Sequence, residues 1–271
     1  MSNVTLLDGA VGTSLWAKSG DQLPVWRYNM ENPGIVTELA GEYVSAGSQI
    51  VLANTFAINA ISLKNSPYQP AEVVARAVEL AKDGVKGQAR VALSVGPLPI
   101  LLEPYGDLTE DEAHAMFLDV MTAGVQAGAD IVFAQTFMDM AMMQVALRAA
   151  FTLGKPVFAA FSFEQRGRTL MGNAVPDIVQ GLVAFPLDAI GLKCSLGPEQ
   201  ALPVLTEFKN HTDLPLLFKP NAGLPVAGGA AVDAEAFADA VAKAADIGAT
   251  YIGGCCGSSP LYIQALRSRL R

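Results

Sequence analysis

The chain has 271 residues, 51% of them hydrophobic and only 16% charged, with a formal net charge of -8. That acidic balance leaves no electrostatic footprint for nucleic acid, and no uninterrupted apolar run reaches the ~18 residues of a membrane span. The mean hydropathy of +0.34 therefore points to a large core, and best to a parallel sheet whose strands are apolar on both faces.

Along the chain, eight short runs rich in β-branched residues read as strands: Thr5–Asp8, Gln49–Ala53, Arg90–Val95, Asp130–Gln135, Pro156–Ser162, Ala189–Cys194, Leu214–Lys219 and Thr250–Gly253. Each is followed by a stretch of helical period. The helices are expected at Ile35–Ala46, Ala71–Lys86, Asp111–Ala127, Asp139–Thr152, Val175–Ala184, Pro198–Asn210, Asp233–Asp246 and Pro260–Leu270. Acids open two of them, at Thr109-Glu110-Asp111-Glu112 and Asp233-Ala234-Glu235, and Gly47, Gly87, Gly128, Gly154 and Gly248 are expected to end helices. Eight strand–helix units with no composition break predict a single (β/α)8 barrel domain over residues 1–271.

No Gly-x-Gly-x-x-Gly follows the first strand, so a dinucleotide-binding open sheet has no support. The longest irregular stretch is expected to be Ser14–Pro33, with Trp16, Trp26, Arg27 and Tyr28, serving as a lid or a cover for the barrel end. The opening Met1-Ser2-Asn3-Val4-Thr5 lacks the basic and apolar regions of a secretory signal, and a cytoplasmic location is expected.

Three cysteines, two of them adjacent, make no disulfide framework, so metal binding or reactivity is the better reading. Barrel chemistry sits at the carboxyl ends of strands, where Cys194 closes the sixth strand and Cys255-Cys256 follow the eighth. These strands flank the seventh, which places their ends roughly 10 Å apart. Three soft ligands without an obvious fourth describe a catalytic zinc with one open position. A substrate that is itself a thiol would suit it: a free thiol of pKa ~8.5 is mostly protonated at neutral pH, and coordination removes that proton without a general base. The two histidines, His114 and His211, fall on helix faces or loops away from strand ends. Lys219 is the one loose candidate for a Schiff-base lysine, as an aldolase-like barrel would require.

The chain also resembles a known family. Leu7-Asp8-Gly9-Ala10-Val11-Gly12-Thr13, Ala53-Asn54-Thr55-Phe56, Gly167-Arg168-Thr169-Leu170-x-Gly172 and Gly191-Leu192-x-Cys194-x-Leu196-Gly197-Pro198 each match one of its motifs. Pro220-Asn221-Ala222-Gly223-Leu224-Pro225 and Gly253-Gly254-Cys255-Cys256-Gly257-Ser258-Ser259-Pro260 complete the series in the right order. Together they are similar to the zinc-dependent homocysteine S-methyltransferases, in particular to the homocysteine-binding module of cobalamin-dependent methionine synthase.

The resemblance implies that Cys194, Cys255 and Cys256 ligate zinc. It implies that Asp8 stands near the amine of homocysteine and that the backbone around Thr55 and Phe56 receives its carboxylate. Two residues depart from the pattern. Gln135 stands where the family has a glutamate expected to pair with the homocysteine ammonium, and a neutral hydrogen bond is roughly half as strong as a charge-assisted one. Either Asp8 or another nearby carboxylate compensates, or the acceptor is a different thiol without an α-ammonium group. Lys193 replaces the usual asparagine before the first zinc cysteine. Adjacent to Cys194 in a strand, it is expected to point the opposite way, as a structural residue or as a positive group for an acidic ligand. The methyl donor is left open between a small molecule, such as S-methylmethionine or a betaine, and a separate methyl-corrinoid protein. A non-catalytic or partner-dependent zinc barrel is the second reading.

Overall fold

The computed structural model describes residues 4–223 and 232–270. Its strands are β1 (Thr5–Leu6), β2 (Ile50–Leu52), β3 (Arg90–Val95), β4 (Ile131–Phe137), β5 (Val157–Phe161), β6 (Ala189–Lys193), β7 (Leu216–Lys219) and β8 (Ala249–Ile252). All neighbouring pairs are parallel, in the order β1-β8-β7-β6-β5-β4-β3-β2. The ends of that series meet through a parallel bridge between Leu7 and Ile50. There the Gln49 amide donates to the Leu6 carbonyl at 2.7 Å and the Asp8 amide to the Ile50 carbonyl at 3.1 Å. The expected single (β/α)8 barrel is the fold.

Two apolar layers explain why the strands read as continuous hydrophobic runs. Leu7, Ile50, Leu52, Ala92, Ile131, Phe133, Phe158, Ala160, Ala189 and Leu217 form a cluster of strand residues that fills the barrel. Phe158 packs against Phe133 and Tyr251 there, with ring centroids 5.9 and 4.6 Å apart. The alternate positions, such as Val91, Leu93 and Val95 of β3, join the helices in the larger outer cluster. Opposite faces of one strand thus serve two different cores.

After each strand except the first, a single long helix lies against the sheet: α3 precedes β2, and the others follow in turn. The described helices are α1 (Gly12–Ser19), α2 (Tyr28–Glu31), α3 (Pro33–Ala46), α4 (Pro70–Val85), α5 (Glu110–Gln126), α6 (Met140–Phe151), α7 (Val175–Leu182), α8 (Pro198–His211), α9 (Ala234–Ile247) and α10 (Pro260–Arg269). Among the described residues, no helix is long and apolar enough to cross a membrane.

The capping signals are met locally. Thr109 Oγ1 accepts from the Glu112 amide at 3.3 Å, and Glu112 Oε2 accepts from the Thr109 amide at 3.0 Å. Thr109→Ala should cost about 1 kcal/mol in urea unfolding through loss of this cap. Gly47 and Gly248 are left-handed C-caps, whereas Gly154, also left-handed, lies beyond the turn that follows α6 at Phe151.

Ser14–Pro33 departs from expectation, because it is not irregular. It contains most of α1, a 3-10 turn at Val25–Arg27 and α2. The wider loop is 53–69, between β2 and α4, which carries no helix or strand.

Candidate functional site

A cavity of about 900 Å³ opens at the carboxyl ends of the strands. The turn after β1, the Val25–Arg27 segment and loop 53–69 form much of its wall, and Gln135, Thr136, Lys193 and the three cysteines complete it. Two buried asparagines tie the first two loops together. Asn54 Nδ2 donates to the Val25 carbonyl and to Asn29 Oδ1, both at 2.8 Å, while Asn29 Nδ2 returns a bond of 3.0 Å to the Asn54 carbonyl. Trp26 and Tyr68 meet edge to face across the same boundary. Tyr68 is a cavity residue not singled out in the sequence, whereas Trp16 and Asn54 were named there only within a loop and a motif; an Asn–aromatic loop after a barrel strand was the available signal.

The three cysteines converge as expected. Their sulfurs all lie within 4.8 Å of one another, and Cys194 and Cys256 are 3.8 Å apart. A tetrahedral ion with metal–sulfur bonds of ~2.3 Å needs edges of about 3.8 Å, so this donor set fits zinc. Cys255 is buried, whereas Cys194 and Cys256 are half-buried and face the cavity.

Backbone geometry makes that convergence possible. β6 stops at Lys193, and Cys194 and Ser195 both take left-handed φ values, 69° and 63°. The Cys194 amide still donates to the Lys219 carbonyl at 3.0 Å, and the Cys255 amide donates to the Pro220 carbonyl at 2.8 Å. Both ligand loops therefore hang on the end of β7. The Ser258 hydroxyl donates to the Cys255 carbonyl at 2.6 Å and closes the second loop. Gly257 permits that turn, with φ +84° and a site where any Cβ would lie 2.0 Å from the Gly223 carbonyl oxygen. Gly257→Ala should cost at least ~2 kcal/mol in urea unfolding, from left-handed strain and the backbone clash together.

Mutual hydrogen bonds set the thiols apart. Those from Cys194 and Cys256 hold the Cys255 thiol well below its ordinary pKa, helped by the charges of Lys193 and Lys219. Contact with Cys255 raises Cys194, and contacts with both neighbours raise Cys256. A metal bound there would displace thiol protons, so metal affinity should fall as pH drops below the raised values of Cys194 and Cys256. Chelator competition at several pH values measures that slope.

Asp8 is fully buried beneath the cavity wall rather than on it. One carboxylate oxygen meets Lys219 Nζ at 2.5 Å, and the other accepts from the Leu52 amide at 2.7 Å. Lys219 also donates to the Asp8 carbonyl at 2.6 Å. Burial pulls the Lys219 pKa down while Asp8 pushes it up. With no exposed surface, Lys219 is an ion-pair partner and not a lysine placed to form a Schiff base.

Gln135 reaches the cavity. Its Nε2 donates to Ser94 Oγ, and its Oε1 has no hydrogen-bond partner among the described residues. A bulge in β4 aims it there, with Thr136 at φ 62°. Thr55 is buried, its hydroxyl donating to the Ser94 carbonyl at 2.7 Å, while Phe56 is 41% exposed on the cavity wall.

Lys193 corrects an expectation. Strand alternation placed it opposite Cys194, yet both line the same cavity. Alternation requires extended backbone, and the left-handed turn at Cys194 ends it. The Lys193 ammonium lies 5.8 Å from the centroid of the Phe56 ring. Neither His114 nor His211 lines the cavity, and His211 Nδ1 lies 2.8 Å from the Glu207 carbonyl on α8.

Known proteins place this arrangement. The chain is 28% identical to methionine synthase of Mycobacterium tuberculosis, over 95% of its own length and 24% of that protein. Against methionine synthase of Mycobacterium leprae it is 28% identical, over 87% and 21%. It spans about a quarter of the length of these relatives. The metallated homocysteine methyltransferase MmuM of Escherichia coli superposes with a TM-score of 0.85 at 22% identity, covering 98% of this chain and 96% of that one, a likeness of fold. Residues 5–270, with all three cysteines among them, match the family described as homocysteine S-methyltransferase, and the chain belongs to that family.

Proposed function

We propose that this barrel is a zinc-dependent thiol S-methyltransferase, with homocysteine as the family's acceptor and methionine as the product. The observation that carries the reading is the set of three cysteine sulfurs within 4.8 Å at the inner end of the cavity. Cys194, Cys255 and Cys256 would hold the metal, and zinc suits a soft, all-thiolate donor set with a fourth position open. Bound there, zinc would supply the Lewis acidity that takes the acceptor thiol to its thiolate.

The chain's own residues orient the acceptor and exclude water. Trp16 and Trp26 wall the cavity, and Thr55 and Phe56, whose backbone would receive the acceptor's carboxylate, line it as well. The buried Asp8–Lys219 pair supports the strand ends that carry the ligands. The methyl group would come from a sulfonium or betaine, or from a methyl-corrinoid protein.

X-ray absorption at the zinc edge of the loaded protein tests the reading. Three sulfurs at the metal should become four when a small thiol is added. Methyl transfer is then assayed with S-methylmethionine, glycine betaine and a methyl-corrinoid protein as donors. A metal with no sulfur ligands, or one that never gains a fourth, would end the proposal.

A further inference from the structure

The cavity carries charge of the wrong sign for a zwitterionic amino acid. The whole chain has a formal charge of -8. Yet of the four charged residues lining the cavity, Arg27, Lys64 and Lys193 are basic and Glu31 alone is acidic. Glu31 is taken already: Arg27 Nε and a terminal nitrogen donate to its two oxygens at 2.7 and 2.8 Å. Asp8 is taken as well, by Lys219 and the Leu52 amide, and has no exposed surface. An ammonium group entering the cavity would find no free carboxylate, and a desolvated charge without a partner is strongly disfavoured.

Two further residues point the same way. Lys193 is only 8% exposed, makes no ion pair among the described residues, and rests its ammonium near the Phe56 ring. No carboxylate partners it among the described residues, and its charge acts on the Cys255 thiol. Gln135, 1% exposed, has an unpartnered Oε1 and carries no charge. Its oxygen accepts from a hydroxyl or an ammonium alike, but offers an ammonium no countercharge.

We infer that this cavity selects a small thiol bearing a carboxylate and no ammonium group, the carboxylate pairing with Lys193 and a neutral face lying against Gln135. The inference rests on the thiol S-methyltransferase reading and replaces homocysteine as its acceptor with a carboxylate thiol lacking the amine. Lys193 also faces the sulfur cluster, so its charge could act on the sulfurs alone. A thiol without a carboxylate separates the two roles.

The test is calorimetric titration of the zinc-loaded full chain with homocysteine, with 4-mercaptobutyrate (the same skeleton without the amine) and with 4-mercaptobutan-1-ol. Binding of 4-mercaptobutyrate at least 10-fold tighter than homocysteine is expected. Gln135→Glu should reverse that order. Lys193→Gln should weaken 4-mercaptobutyrate at least 10-fold and leave the alcohol within about twofold. Homocysteine binding as tightly as 4-mercaptobutyrate or tighter would overturn the inference while leaving the methyltransferase reading intact. An equal loss for acid and alcohol in Lys193→Gln would also overturn it. If none of the three thiols binds or adds a sulfur to the metal, the underlying reading falls and the inference with it. The comparison on the unsubstituted protein decides the matter even if a variant fails to fold.

Discussion

Cys255→Ser should lower methyl transfer to the acceptor thiol by at least ~1000-fold and leave the purified protein without stoichiometric zinc. Two losses combine. A free thiol of pKa ~8.5 is about 3% ionised at neutral pH, so the nucleophile alone falls roughly 30-fold. Loss of the sulfur's fixed position adds a further factor on the order of 100, the usual penalty for misplacing a reacting atom. The fold should survive, because the Cys255 backbone is held by Pro220, Ser258 and the closing turn rather than by its side chain. Metal analysis, kcat/KM and circular dichroism together check the prediction. Full turnover by a metal-free variant would end the zinc reading outright.

Lys219→Met should cost about 3–5 kcal/mol in urea unfolding, because it leaves the Asp8 carboxylate charged and unpaired in a site with no exposed surface. Asp8→Asn alone should be damaging for the mirrored reason, stranding the lysine. The double variant, Asp8→Asn with Lys219→Met, should recover much of the loss, and the coupling from the full cycle measures the pair. A sum of two independent losses would instead mean that each residue acts through its other contacts. The same set tests the expected role of Asp8 beside a substrate amine. Under conditions where all variants are folded, a change in acceptor KM confined to those lacking Asp8 would support that role.

The barrel was legible in the chain because parallel strands buried on both faces leave unbroken apolar runs, and because helix ends such as Gly47 and Gly248 carry residues suited to left-handed backbone. The cysteine trio was legible from strand order: β6 and β8 flank β7, and cysteines follow the end of each. The substrate side was harder to read. Thr136, Cys194 and Ser195 adopt left-handed φ without being glycine, so nothing in their identity marks where the strand stops. Lys193 was accordingly expected to face away from the cavity. Asp8 sits at a strand end, as active-face residues do, but its partner Lys219 is 211 residues away, and pairing at that distance leaves no local pattern. The helices within Ser14–Pro33 were missed because each is short, and α2 has only four residues.

The closure of the barrel between β1 and β2 has a further consequence. Elsewhere the main chain makes most of the ladder, and side chains such as Asp130 and Asp188 add single bonds to the Val91 and Val157 amides. At this seam the backbone bonds are few, and two side chains stand in for the rest: Gln49 Oε1 accepts from the Leu6 amide at 2.9 Å, and Asp8 Oδ2 accepts from the Leu52 amide. Closure at that point is thus a heritable property of two particular codons rather than of the polypeptide. Drift at either position would loosen the ring where the first and second strands join, and the amide protons of Leu6 and Leu52 would be the first to exchange with solvent.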